Sequence, residues 1–468
     1  MKKLPYLLLI SAALALAACA YLVESSQQDK VQAMSALPAK PPINPVVNNC
    51  NITAPNTPVT QALLDSGLPC DATAIAPFNL PNLQQAFDYY SWLSFLALNA
   101  PTNGKPIGGG PLPGGDGPTQ WEQWKEISDL ILPGGAQPGP WESKRSIPQA
   151  CRSIGGSDGM KVVRMVGKTP NVVSDIVQPF DTGPLIDQKG RYVRYEILVN
   201  KPMFEYILQN NLYSKRGQEA FTNTVVFPSG AVIKATTGTM GALMAKAAWK
   251  VMDLSTDDLT RYHTTDALVY QPPLDNPKVA ESCHKAKLGL VGLHVGHKTN
   301  SSPQWIWSTF EHADNMPTQD DVTKQKLQAH YNFYRPGCSP SACPVNTPPP
   351  RPWNPNIEPF PNSFTSQIVR VTSLTRDALD LNKSFQAILT KTVWKNYMQI
   401  STQWPTDPTS KTDPNGVPAP VYLANATLET YIQGKVPQSS SSCMACHGNA
   451  AATSGRTSDF TFILERAQ

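Results

Sequence analysis

Charge is scarce in this chain: of its 468 residues, 16% are Asp, Glu, Lys or Arg, where ordinary globular chains carry roughly a quarter. No block of basic residues and no aromatic-basic stripe occurs, so the electrostatic footprint of nucleic-acid binding is missing and no nucleic-acid partner is expected. No internal repeat is visible, which excludes a repeat architecture. The apolar run at the N-terminus, Leu7 to Ala18, is too short to span a bilayer. Histidine is rare, with 7 in the whole chain, and the tail from Gly448 to Gln468 contains neither His nor Met.

That last absence matters because of what precedes it. Cys443-Met444-Ala445-Cys446-His447 is a C-x-x-C-H, the attachment pattern of c-type haem. Two thiols at this spacing can each add to a haem vinyl group, and the adjacent His then lies under the iron as proximal ligand. A redox C-x-x-C is the competing reading, but such pairs sit in a βαβ context, whereas these flanks are rich in Ser and Ala. One covalent haem c is therefore expected, bound by Cys443, Cys446 and His447. A second axial ligand is expected from the upstream body, unless the sixth position is open.

Haem attachment of this kind takes place outside the cytoplasm, and the N-terminus carries an export signal. "MKKLPYLLLISAALALAACA" places Lys2 and Lys3 before the apolar run. Leu16-Ala17-Ala18-Cys19 resembles a bacterial lipobox, in which cleavage before Cys19 leaves a lipidated thiol. Residues 1–18 read as a lipoprotein signal peptide and 19–60 as a Pro-rich tether. The expected location is the periplasm or cell surface, anchored by lipid, with Ala20 favouring the outer membrane. Setting aside Cys19, Cys443 and Cys446 leaves six cysteines, enough for three disulfides in an oxidising compartment. Cys338 and Cys343, in the short Pro-rich loop "GCSPSACP", are expected to pair, and so are Cys50 and Cys70. Cys283-His284 reads as part of a third disulfide and not as a metal site.

The body divides by periodicity. Residues 61–360 read as a β-rich main domain with N-terminal helices, and 361–468 as a helical C-terminal region carrying the haem motif. "PNLQQAFDYYSWLSFLALNAP" has helical spacing and reads as a buried helix; "TQWEQWKEISDLIL" reads as a shorter one, across a Gly/Pro loop from Gly104 to Gly117. "KPMFEYILQNNLY" is a further helix. "RYVRYEILVN", "GALMAKAAWKVM", "DALVYQPP", "KLGLVGLHVGHKT" and "PQWIWSTFEHADN" read as strands. "TSLTRDALDLNKSFQAILTKTVWKNYMQI" reads as helical. The fold class is α+β, with an antiparallel β-rich centre, flanking helices and a C-terminal haem-attachment segment.

The stretch Lys287 to Pro317 holds His294, His297 and His312. As a hairpin turning between Ser301 and Ser302 it sets His297 opposite Ile306, with His294 on the other face and His312 sharing the face of His297; a one-residue slip would instead put His297 with Trp305, Trp307 and Glu311. His297 is the candidate distal ligand, chosen over His294, His312 and Met316. If the sixth position is open, His297, Glu311 and His312 are the candidate acid–base groups. Trp305 and Trp307 read as core or haem-packing residues, and Met240, Met244 and Met316 as packing.

"GLHVGHKTNSSPQWIWSTFEHADN" together with "SSCMACHGNA…SDFTFILERA" resembles a family of exported bacterial proteins known as cytochrome c family proteins. The resemblance covers most of the chain after the signal and implies a monohaem c-type protein, with Cys443, Cys446 and His447 as attachment site and proximal ligand. The chain departs from small cytochromes c, which place the motif first and a Met ligand downstream. Two functions are expected from this. One is electron transfer with a redox partner protein or a small-molecule donor or acceptor. The other is a haem-dependent oxidoreductase acting on peroxide, oxygen or another small substrate.

Overall fold

The computed structural model of the protein describes residues 44–468, apart from 56, 76–81, 104–106, 108–116, 165–181, 276–277, 352, 354–357, 362–363, 408–417 and 435–440. The signal peptide, Cys19, most of the tether and most of the Gly/Pro loop lie outside the described residues.

An α+β architecture is built on one large antiparallel sheet. Its strands in chain order are β1 (Lys125–Glu126), β2 (Val162–Val163), β3 (Arg194–Val199), β4 (Leu243–Val251), β5 (Thr264–Gln271), β6 (Ser282–His297), β7 (Ile306–His312), β8 (Tyr397–Pro405) and β9 (Pro418–Ala419). They lie side by side in the order β9-β8-β7-β6-β4-β3-β1, with β5 pairing the first half of β6 and β2 joining β5. Four helices lie against this sheet: α1 (Leu83–Leu98), α2 (Lys201–Gln209), α3 (Arg376–Ile388) and α4 (Cys443–His447).

Nearly every residue of β3, β4, β7 and β8 is buried, polar ones included, because both faces of the sheet are covered. On one face α1 and α3 close the main core, in which Trp92, Phe95 and Phe385 from the helices meet Leu293, Val295 and Phe310 from the strands. Trp92 stacks on Phe385 at 4.9 Å and Phe95 on Phe310 at 4.3 Å. Thr375 caps α3 by accepting the Ala378 N–H, and Asn82 caps α1 by accepting that of Gln85. The opposite face carries α2, the segment around Asn425 to Tyr431, and the C-terminal tail.

Two expected helices differ. "TQWEQWKEISDLIL" forms a 3-10 turn at Trp121–Gln123, the short strand β1 and a four-residue helix, Ile127–Leu130. Tertiary contacts override its helical spacing: Glu122 is buried against His263 at 2.8 Å and Lys161 at 3.1 Å. The stretch from Thr372 to Ile400 is helical only through Ile388; its end, from Tyr397, is β8 in the central sheet. The region after residue 360 therefore shares its sheet with the main body.

Disulfides join Cys50 to Cys70, Cys151 to Cys283 and Cys338 to Cys343. Cys283 thus ends in a disulfide, as its environment suggested. The Cys151–Cys283 bridge closes 132 residues of chain. On loop-closure grounds, replacing both by Ala lowers the unfolding free energy by about 5 kcal/mol. Urea titration of the double variant checks this, and an unchanged midpoint contradicts it.

Candidate haem site

The C-x-x-C-H forms a single helical turn, α4, docked on the sheet. Ser442 caps it, its Oγ accepting the Ala445 N–H at 3.3 Å. Gln403 of β8 anchors it: Oε1 accepts the Met444 N–H at 2.7 Å, and Nε2 donates to Ser442 Oγ at 3.0 Å. Met444 turns inward and is buried with Met244, Trp305, Trp307, Phe460 and Leu464. Cys443, Cys446 and His447 remain half-buried. Three residues apart on a helix, the two cysteines share a face, and neither takes part in a disulfide.

His447 is held on three sides. Its Nδ1 lies 2.8 Å from the Phe460 carbonyl oxygen. A carbonyl only accepts, so Nδ1 carries the proton and Nε2 is the nitrogen with the lone pair. Trp307 packs on the ring at 4.5 Å and Phe462 meets it edge-on at 5.2 Å. The Phe460 carbonyl is aimed by an unusual turn, in which Asp459 and Phe460 take φ of 50° and 66°. Left-handed backbone at a bulky residue is strained and persists only where its surroundings hold it. Here Asp459 accepts from buried Lys298 at 2.6 Å and from the Phe227 N–H at 2.7 Å. The tail is further tied down by buried Phe460 and Leu464.

This donor set fits a c-type haem. Two thiols outside any disulfide sit one turn apart, beside a histidine whose carbonyl partner presents Nε2 as the ligating atom. Among the described residues no group of three or more His, Cys, Asp or Glu side chains gathers as a site for a bare metal ion.

The sequence-derived distal candidates are not brought together. The hairpin register is as expected, His297 pairing with Ile306, so His294 and His297 face opposite sides. His297 points to the α1 face, where its Nδ1 meets the Tyr90 hydroxyl at 2.8 Å. His447 lies across the sheet from it, against Trp307. His312 is also on the α1 side, stacked on Tyr262 at 4.1 Å, its Nδ1 accepting from the Asp314 N–H at 3.1 Å. Glu311 faces the haem-motif side but is engaged by Arg370 at 3.1 Å and by the Ala426 N–H at 2.6 Å. It anchors the covering segment.

Burial pushes His297 down to about 3 and His312 down to about 4, and for both desolvation is the leading cause. Both are neutral at physiological pH, unlike a general base poised near 7. Met316 is buried, its sulfur 3.7 Å from Arg370, and Met240 packs against the main core. Trp305 and Trp307 are core residues, buried in one cluster with Met444 of α4.

Gln403, Lys298, Asp459 and Glu429 escape sequence reasoning. Lys298 and Asp459 lie inside the two stretches that carry the family resemblance, yet their partnership spans 161 residues and is made only by the fold. No protein-family model, curated protein or solved structure matches this chain.

The buried histidines have a pH signature. A group whose folded-state pKa lies below its unfolded value binds fewer protons when folded, so stability falls as pH drops from about 6.5 toward the folded value. His297→Gln removes one such group. Its acid limb of stability against pH flattens by about 1.4 kcal/mol per pH unit between pH 6 and 4. Denaturant titrations at stepped pH check this; curves parallel to the parent's contradict it.

Proposed function

We propose that this chain is an exported, membrane-tethered c-type cytochrome that carries one covalent haem and works in electron transfer. One observation carries the reading: the six described cysteines outside α4 pair as disulfides, while Cys443 and Cys446 flank a turn whose histidine has its Nδ1 fixed by a carbonyl. The sequence resemblance to exported cytochrome c family proteins points the same way. Bound haem supplies a one-electron iron couple. The protein's own residues would hold it: Cys443 and Cys446 through thioether bonds, His447 through Nε2, with Trp307 and Phe462 packed around the His447 ring.

Electron transfer requires a partner, either a redox protein or a small-molecule donor or acceptor. The three disulfides suit an oxidising compartment, and lipid at Cys19 would hold the protein on a membrane. Among the described residues no helix is long and apolar enough to cross one. A second reading, a haem-dependent oxidoreductase, is favoured by one feature: a largely buried His294–Glu429 pair on the same sheet face as α4, at 3.0 Å.

Two experiments test these readings. In cells equipped for cytochrome c maturation, Cys443→Ala with Cys446→Ala yields protein that loses all haem to acid–acetone; haem surviving extraction contradicts the assignment. Cys19→Ala abolishes palmitate labelling and membrane fractionation. Wild-type protein that takes up no label and stays soluble refutes the anchor.

A further inference from the structure

The sheet face beneath α4 is built in three in-register rows. One row is Val199, Met244, Gly296, Trp307 and Gln403. It is buried beneath α4 and the tail, with the Met244 side chain and Trp305 crowding the space over Gly296. Two residues along each strand from the strip between them, another row is Tyr195, Ala248, Gly292 and Glu311. It is buried beneath the segment from Asn425 to Tyr431, and a Cβ at Gly292 would come within 3.0 Å of the Thr427 hydroxyl. Glycine at 292 and 296 is what lets these two covers settle onto the strands.

The row between them differs. Ile197, Lys246 and His294 are paired across three central strands and each is only half-buried, whereas Thr309, the next member of the row on β7, is buried and bonded by Asn425 at 2.8 Å, so the half-buried strip ends at His294. Central strands of a sheet covered on both faces do not ordinarily keep such a strip open. The strip runs beside Trp307, whose ring packs on His447. His294 Nε2 lies 3.0 and 3.1 Å from the two oxygens of Glu429. Their side chains are 19% and 11% exposed, so the pair is reachable but largely shielded from solvent. Of the three hairpin histidines only His294 is on this face.

We propose that this strip is the seat of the haem and that His294, oriented by Glu429, is the protein group on the iron's sixth side. The proposal rests on the assignment of a haem to α4 and supplies the second axial partner that the tail lacks. The covalent attachment at Cys443 and Cys446 limits how far the macrocycle can lie from α4. The rows on either side are filled by packed side chains, which leaves the half-buried strip as the surface beside Trp307 on which it can rest. A carboxylate paired with a histidine fixes the ring's orientation and raises its basicity, which suits either an iron ligand or a proton acceptor for a small ligand bound at iron.

His294→Ala and Glu429→Gln, prepared as haem-loaded protein, test this by ferric absorption spectrum and by the rate of cyanide binding. A low-spin parent that turns high-spin in His294→Ala supports the proposal, with His294 as ligand. A high-spin parent whose cyanide binding slows at least tenfold in His294→Ala supports it, with His294 as base. Glu429→Gln produces a smaller change of the same kind, and Met244→Leu leaves spectrum and rate alone. Parental spectrum and rate in His294→Ala overturn the proposal, as does a change of spin state in Met244→Leu. Covalent haem in every variant keeps this result separate from the haem reading, which fails only if the parent itself carries none. If His294→Ala does not fold, His294→Gln, which keeps a hydrogen-bonding side chain at that position, gives the same spectral readout.

Discussion

The hydrogen bond from His447 Nδ1 to the Phe460 carbonyl is the contact on which the haem-motif end depends. It sets the tautomer of the histidine, and it exists only because the chain enters the left-handed region at two successive non-glycine residues. Such a turn costs of order 1–3 kcal/mol per residue. It is offset by the Lys298–Asp459 ion pair, buried to 4% and 9% side-chain exposure. Removing one partner of a buried pair leaves a charge uncompensated, so the turn and the pair stand or fall together. Through Lys298, at the end of β6, the last residues of the chain are registered against its central hairpin.

The two faces of the sheet divide the work. On the α1 side, His297 and His312 sit among aromatic rings, neutral and hydrogen-bonded, and contribute to a core. On the other side, polar groups are arranged to place segments: Gln403 seats α4, Glu311 with Arg370 seats the segment near Ala426, and Glu429 meets His294. The single turn of α4 packs its Met444 into a core built by the sheet and the tail, and β8, the strand that seats it through Gln403, lies shortly before it in the sequence.

Much of the fold was legible in the residues. Period-two alternation marked β3, β5, β6 and β7, and of the two hairpin registers that alternation allowed, the fold takes the one turning between Ser301 and Ser302. Alternation also put His294 and His297 on opposite faces. Which face receives the haem motif was not legible, because Gln403 and Asp459, far downstream of the hairpin's histidines, decide it. The choice of His297 followed clustering, and clustering carries no information about sides. β8 was hidden because "YMQISTQWP" continues directly from a helical stretch with only a short 3-10 turn, Val393–Asn396, between them. Trp121 to Leu130 lost its helix to buried charge pairing, which no local pattern reports.

The central claim is that Cys443 and Cys446 hold a haem whose proximal ligand is His447. Tryptic cleavage after Lys435 and Arg456 isolates both cysteines and the histidine in one peptide, residues 436–456. Mass spectrometry of that peptide, from protein matured with its haem-attachment machinery and alkylated under denaturing conditions, is the most direct measurement. The account predicts a peptide carrying the mass of one haem, with neither thiol alkylated. A haem-free peptide with Cys443 and Cys446 both alkylated, or joined to each other by a disulfide, would contradict it.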